Sequence, residues 1–383
     1  MIQRAVQGMV LLGRPRGGSS VRCSGGKPDR RVGGDGQLMQ GMSAAPGWLH
    51  AVAAAHAAEA PNWAGDGVTV RRVTGVANNA LYCVEADGQT YACKLCVVDE
   101  RRRAAREHSA LRLLQGAGLD IAPEPLWLDE SCAILPYPAV VYRWLPGEPL
   151  GPSLTTQQLG ALLDSIQCMH ALQPEDFEGF ELSDSSFHWF DFARYLDELH
   201  GFLAEYGAWL VAADPEGPDL RDRLARLVDG CTEFVTTTAA NPSRERVPLG
   251  LCRADLGLAN AVWSGDGRLR WVDWEYSGWG DPALDLSDLR WHAALDKLGE
   301  AQHAWLRNSY RRPAGDDGFE ARLVVWDRLI ATRWAFLILR LLWSGQHGPD
   351  RERLSQLPFD VVALHARLIR FIERAEDVVA GDT

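Results

Sequence analysis

Residues 251 to 275 read LCRADLGLANAVWSGDGRLRWVDWE, and they set Asp255, Asn260 and Asp273 among apolar residues where a core would take Leu or Val. NAVW and RLRWVDW are rich in Val and Trp, and SGDG between them is a hairpin turn signal, which predicts two antiparallel strands. A loop of two residues (Gly265, Asp266) or of four (Ser264 to Gly267) gives one register, with Trp263 facing Arg268, Val262 facing Leu269 and Asn260 facing Trp271. Side chains two apart on a strand share a face, which puts Asp273 on the face of Trp271 and so of Asn260. Diagonal neighbours of this kind sit roughly 7–8 Å apart, too far for a hydrogen bond and suited to two oxygen ligands on one cation. Asp255 precedes Asn260 by five residues, in a short Gly-containing loop that can curl over the same place. Three converging oxygens predict a hard-cation site of the Mg²⁺ kind.

Asp and Asn are common in turns, so each of these residues alone is unremarkable in a loop. Together they have the spacing of kinase catalytic machinery: Asp-x-x-x-x-Asn, a hairpin, then a strand-borne Asp. In that machinery the first Asp receives the acceptor hydroxyl's proton, while the Asn and second Asp hold Mg²⁺ on nucleotide phosphates.

Composition permits this chemistry and excludes others. The 383 residues suffice for two or three domains, and 46% hydrophobic with 23% charged residues describes a globular protein. A formal net charge of −12 argues against a nucleic-acid partner, which needs a basic face. No apolar run reaches a membrane span; the longest, Ala335 to Trp343, is broken by Arg340. Eight scattered cysteines fit a reducing cytoplasm, and the lone C-x-x-C, Cys93 and Cys96, lies on a predicted strand that points the two to opposite faces. G-x-S-x-G, the P-loop and paired metal-binding histidines are absent from the sequence.

Residues 1–44 carry seven basic and two acidic residues among Gly runs with no helical or strand period, and are expected to be a disordered extension or a spurious one upstream of a start near Met39 or Met42. A helix in PGWLHAVAAAHAAEA follows, then strands VTVRRVT, ALYCVEA and QTYACKLCVV, the last two joined at Asp87-Gly88. The loop TGVANN, with Gly75 and Asn79, can cover phosphates with its N–H groups. Only three of the 39 basic side chains are lysine, and Lys94 is in mid-strand, where a compact ammonium has replaced the usual guanidinium. The next segment has helical spacing, with Glu107 on the face of Ala104, Leu111 and Leu114. A strand Lys followed by an inward Glu predicts a pair that positions nucleotide phosphates.

Lys94, Glu107, RADLGLAN and VDWEYSGWGDPALDLSDL resemble the aminoglycoside phosphotransferase and choline kinase-like family of small-molecule kinases, over about Val68 to Arg290. The resemblance implies that Asp255 is catalytic, that Asn260 and Asp273 bind Mg²⁺, and that Lys94 with Glu107 anchors phosphate. It further implies that AVVYRWLPGEPL joins two lobes, with backbone around Tyr142, Arg143 and Trp144 against the purine. One departure stands out: the family's His two residues before the catalytic Asp is Arg253 here. That exchange leaves open a nucleotide-binding regulator with little turnover. Asp281 suits a helix N-cap with Pro282 at the first helical position, so Asp281 and Asp285 are read as structural.

Apolar periodicity predicts C-terminal helices near residues 154–171, 188–211, 219–237, 300–311, 319–344 and 358–378. The expected architecture is a protein-kinase-like two-lobe α+β fold, with an antiparallel-sheet lobe at 45–145 and a helical lobe at 146–383. The expected activity is transfer of a γ-phosphate from ATP or GTP, with Mg²⁺, to a hydroxyl of a small molecule in the cytoplasm. That molecule is expected to be cationic. Between Ala171 and Gly217 the chain carries eleven Asp and Glu against one basic residue, Arg194, with Trp189, Phe190 and Phe192 among the acids.

Overall fold

A computed structural model describes residues 45–73, 79–187, 189–238, 241–296, 298–347 and 360–381. The proposed extension at 1–44 and Gly75 lie outside the described residues.

The first lobe is a six-stranded sheet. Its strands are β1 (Asn62–Gly65), β2 (Val68–Val73), β3 (Ala80–Ala86), β4 (Gln89–Leu95), β5 (Pro125–Asp129) and β6 (Ala139–Arg143), with α1 (Leu49–Ala57) and α2 (Arg103–Gly116) on its faces. The strand order is β1-β2-β3-β4-β6-β5, and every neighbouring pair is antiparallel. Period-two alternation along β4 sorts its residues between two cores. Cys93 and Leu95 join Leu49 and Val52 of α1 and its N-cap residue Trp48, whereas Ala92 and Cys96 join Ala104, Leu111 and Leu114 of α2. Lys94 belongs to the α2 face, and the two cysteines of the C-x-x-C point into different cores, as the alternation required.

β1 and β5 escaped the sequence reading. NWAG is four residues long and PLWLD begins with proline, so neither offers a run with clear alternation. The chain leaves the sheet after Trp144, whose N–H still donates to Thr90 O at 3.1 Å. Gly147 then turns with φ of +140°, and a Cβ there would lie 2.5 Å from the Trp263 carbonyl oxygen. Only glycine fits this crossing.

The second lobe contains α3 (Thr156–His170), α4 (Phe192–Ala213), α5 (Gly217–Thr238), α6 (Pro282–Trp291), α7 (Glu300–Ser309), α8 (Phe319–His347) and α9 (Val361–Ala380). α8 is the central post: Trp326, Leu329, Trp334, Phe336 and Ile338 are all buried, and α4, α6 and α9 pack on it. Short strands β7 (Glu148–Pro149), β9 (Ala261–Trp263) and β10 (Leu269–Trp271) make one small sheet, and β8 (Gly250–Cys252) with β11 (Gly278–Gly280) another. All six helices predicted from C-terminal periodicity are present, as is the cap at Asp281, which accepts the Ala283 N–H at 2.9 Å. The two-lobe α+β architecture is the expected one. Among the described residues, no helix is long and apolar enough to cross a membrane.

The hairpin differs from its expected register by one residue. Leu269 pairs with Trp263, Arg270 with Val262 and Trp271 with Ala261. Its loop has three residues, because Ser264 N–H donates to Arg268 O at 3.0 Å and Gly267 takes a left-handed φ of +75°. A type I turn closed by a left-handed glycine adds the odd residue. β10 then ends at Trp271, and Asp273 adopts φ of +65°, so the two-residue alternation does not extend to Asp273. Trp271 turns inward to donate to Ser165 Oγ at 2.9 Å, while Asp273 faces Lys94.

Candidate active site

Lys94 is the meeting point of both lobes. Its Nζ lies 2.7 Å from Glu107 Oε2, 2.6 Å from Asp273 Oδ1 and 3.0 Å from Glu275 Oε2. Burial alone would drain charge from the ammonium, but Asp273, Glu107 and Glu275 more than offset that and hold it well above the usual lysine range. Burial likewise raises Asp273 to about 7, against the pull of Lys94, with Glu275 and Glu107 pushing it further up. The Asp273 side chain is 32% exposed, whereas those of Lys94, Glu107 and Glu275 are at most 4% exposed.

Glu275 is the site residue missed in the sequence. It joins Lys94 to two other segments: Arg103 Nη1 of α2 donates to Oε1 at 2.7 Å, and Asn79 Nδ2, just before β3, donates to Oε2 at 2.5 Å. Burial opposes its charge, yet Lys94 and Arg103 bring its carboxyl below the ordinary range. Its signal is an acid in the apolar run WVDWEY, two residues after Asp273.

Asp255 is 4% exposed and firmly held. Gly257 N–H donates to its Oδ1 at 3.2 Å, and Asn260 Nδ2 donates to its Oδ2 at 3.2 Å. Asn260 thereby keeps its carbonyl oxygen, and Asp273 keeps Oδ2, as hard donors suited to Mg²⁺. The loop's backbone is fixed from α6: Asp285 accepts the N–H groups of Arg253 and Ala254, both at 3.0 Å, and pairs with His170 at 3.1 Å.

Arg253 occupies the position of the family His. It is 1% exposed, with its guanidinium between the rings of Trp271 and Trp274, 4.6 and 4.4 Å from their centroids. Nε donates to Asp255 O at 3.3 Å, and Nη2 donates to Val272 O at 3.0 Å and Asp273 O at 3.1 Å. Burial pulls its pKa below the usual range, opposed by Asp255, Asp273, Asp285 and Glu107. One side chain thus ties the Asp255 loop to the Asp273 turn. Replacing Arg253 with Met, of similar length and no donors, is expected to cost about 2–4 kcal/mol in urea unfolding and to lower turnover. Unchanged stability and turnover in that variant would contradict the assigned role.

The segment expected to face a purine is partly committed elsewhere. Tyr142 and Arg143 belong to β6, and the N–H groups of Arg143 and Trp144 already donate to Glu124 O and Thr90 O. The Arg143 side chain turns outward to Gln89, Glu124 and the Tyr91 ring.

The acids of this stretch are divided between ion pairs, a helix cap and the exposed surface. Asp184 pairs with Arg244, Glu198 with Arg333 and Asp214 with His365, and Asp191 caps α4. Glu175, Asp176, Glu178, Glu181, Asp197, Glu205 and Glu216 are exposed. Phe192 is buried in the core, and Arg194 already covers the Trp189 ring at 4.2 Å.

The architecture is shared with solved structures. A choline/ethanolamine kinase family protein from Mesorhizobium loti is 20% identical with a TM-score of 0.52, over 86% of this chain and 98% of that one. A spectinomycin phosphotransferase, solved with ADP and spectinomycin, gives 13% and 0.55 over 83% and 95%. The choline kinase of Cryptosporidium parvum gives 12% and 0.51 over 82% and 90%. Comparison with curated protein sequences gives no match. A family model described as the phosphotransferase enzyme family matches residues 69–332. That span takes in Lys94, Glu107, Arg253, Asp255, Asn260, Asp273 and Glu275, and the chain belongs to the phosphotransferase enzyme family.

Proposed function

We propose that this protein transfers the γ-phosphate of ATP to a hydroxyl of a small, cationic molecule, with Mg²⁺. The observation that carries the reading is the cluster in which Lys94 meets Glu107, Asp273 and Glu275 while Asp255 is bonded to Asn260. Lys94, steadied by Glu107, holds phosphate oxygens and stabilises their charge. Asn260 and Asp273 would hold Mg²⁺, which when bound neutralises the phosphates. Asp255 orients the acceptor hydroxyl in line with the phosphorus and takes its proton as the new O–P bond forms and ADP leaves. Its proton then passes to solvent. Positioning and charge stabilisation account for most of the catalysis.

A cationic acceptor is supported by the net charge of −12 and by the exposed acids at residues 175–216, which give a negative field that speeds encounter.

The test is acceptor-dependent ADP release over matched panels of aminoglycosides, amino alcohols and neutral sugars, with ATP and GTP in parallel. Amines are expected to be the substrates, and their KM is expected to rise with added salt. Efficient phosphorylation of neutral or anionic acceptors, with amines inert, would overturn the cationic assignment. Absence of transfer to any hydroxyl would overturn the whole reading.

A further inference from the structure

His292 belongs to none of the motifs, yet it is buried against Asp255. It closes α6, donating its backbone N–H to Asp288 O at 2.7 Å, and is 3% exposed. The Trp334 ring meets the imidazole edge to face at 4.5 Å, which stops it swinging. Its Nδ1 accepts the Ala294 N–H at 3.1 Å. An amide can only donate, so Nδ1 carries the lone pair and the neutral ring bears its hydrogen on Nε2. Nε2 lies 3.4 Å from Asp255 Oδ1, a long contact of the kind that tightens when a substrate closes the site.

The two oxygens of Asp255 are therefore unequal. A carboxylate oxygen offers about two lone-pair sites. Oδ1 has the Gly257 N–H at 3.2 Å and His292 Nε2 at 3.4 Å, whereas among the described residues Oδ2 meets only Asn260 Nδ2. We infer that His292 is a positioning residue whose Nε2–H occupies Oδ1, leaving Oδ2 as the oxygen that receives the acceptor's proton. This rests on the reading of Asp255 as proton acceptor. α6 provides the framework: Asp285 and His292 are seven residues apart, two turns, so one helix face fixes both the loop backbone and the carboxylate.

The experiment compares His292→Leu, which keeps bulk without a donor, and His292→Gln, which restores an N–H, with wild type and Asp255→Asn. For each, kcat and KM are measured with ATP and with an acceptor from the panel. Loss of the donor is expected to lower kcat roughly 10- to 100-fold with ATP KM nearly unchanged, and His292→Gln to recover most of it. A merely space-filling His would give the reverse order, with Leu tolerated. His292→Leu at wild-type kcat, with Asp255→Asn inactive, would overturn the His292 inference alone. Activity retained in Asp255→Asn would overturn the proton-acceptor reading beneath it. If His292→Leu does not fold, ¹⁵N-histidine spectra of the wild-type enzyme decide: the Nε2–H tautomer is expected, and an Nδ1–H tautomer would contradict the proposal.

Discussion

Asp255→Asn is expected to lower turnover about 10³- to 10⁴-fold while leaving the fold and ATP KM close to wild type. The amide keeps the shape of the side chain but cannot take a proton at neutral pH. Its oxygen can still accept the Gly257 N–H in place of Oδ1, which preserves the loop. The new NH₂ group then meets Asn260 Nδ2, where a carboxylate oxygen had accepted. Asp255→Ala avoids that clash and is expected to be equally inactive. Steady-state kinetics with an acceptor reads both. Retention of more than about a tenth of the wild-type rate in either would remove Asp255 from the mechanism.

Lys94→Met is expected to have the largest effect on stability. Three carboxylates converge on one ammonium, and Met fills the space without the charge. Breaking a buried pair from one side costs about 3–5 kcal/mol, and here Glu107 and Asp273 would be left facing Glu275. The loss depends on pH in a definite direction. Asp273, near 7 when folded, lies above its unfolded value of about 3.9, so the folded state binds the extra proton. Its favourable contribution is complete below about pH 4 and disappears as pH rises through about 7. Without Lys94 these carboxyls rise further, which extends that window upward. Urea unfolding is therefore expected to show a larger deficit for Lys94→Met at about pH 8 than at about pH 5.5. An equal deficit at both would mean that the carboxylates are not what the ammonium holds in place. Phosphate transfer is expected to fall with the same substitution at either pH.

Much of this site was legible because its chemistry runs against local expectation. A lysine in mid-strand, an acid on the apolar face of α2 and three oxygen donors in an apolar run each contradict simple burial preference. Lys94, Glu107, Asp255 and Asp273 stood out for that reason. Helices were legible from their period, and Asp281 from the chemistry of a cap. What the sequence did not disclose depends on backbone conformation or on contacts between distant segments. The hairpin register turned on Gly267 adopting a left-handed conformation, which a Ser-Gly-Asp-Gly string allows but does not compel. Positive φ at Asp273 redirected a side chain that strict alternation had placed elsewhere. Glu275 gains its meaning from Arg103 and Asn79, 172 and 196 residues away, and no local pattern links them. Arg253 looked like a defect beside the family's His. Its two tryptophan neighbours, 18 and 21 residues later, were in plain view as residues but not as a sandwich. The acidic stretch was legible as a count but not as an arrangement: four of its acids have partners and the rest are exposed, which only the fold decides.

The most direct measurement is transfer of labelled phosphate from γ-labelled ATP to an amine-bearing alcohol, in the presence and absence of Mg²⁺, by the wild-type protein and by Asp255→Ala. The expected result is a phosphate ester formed in step with ADP, only with Mg²⁺ and only by the wild-type protein. Label released as inorganic phosphate with no ester, or equal transfer by Asp255→Ala, would contradict the assignment of a phosphotransfer site built on Asp255.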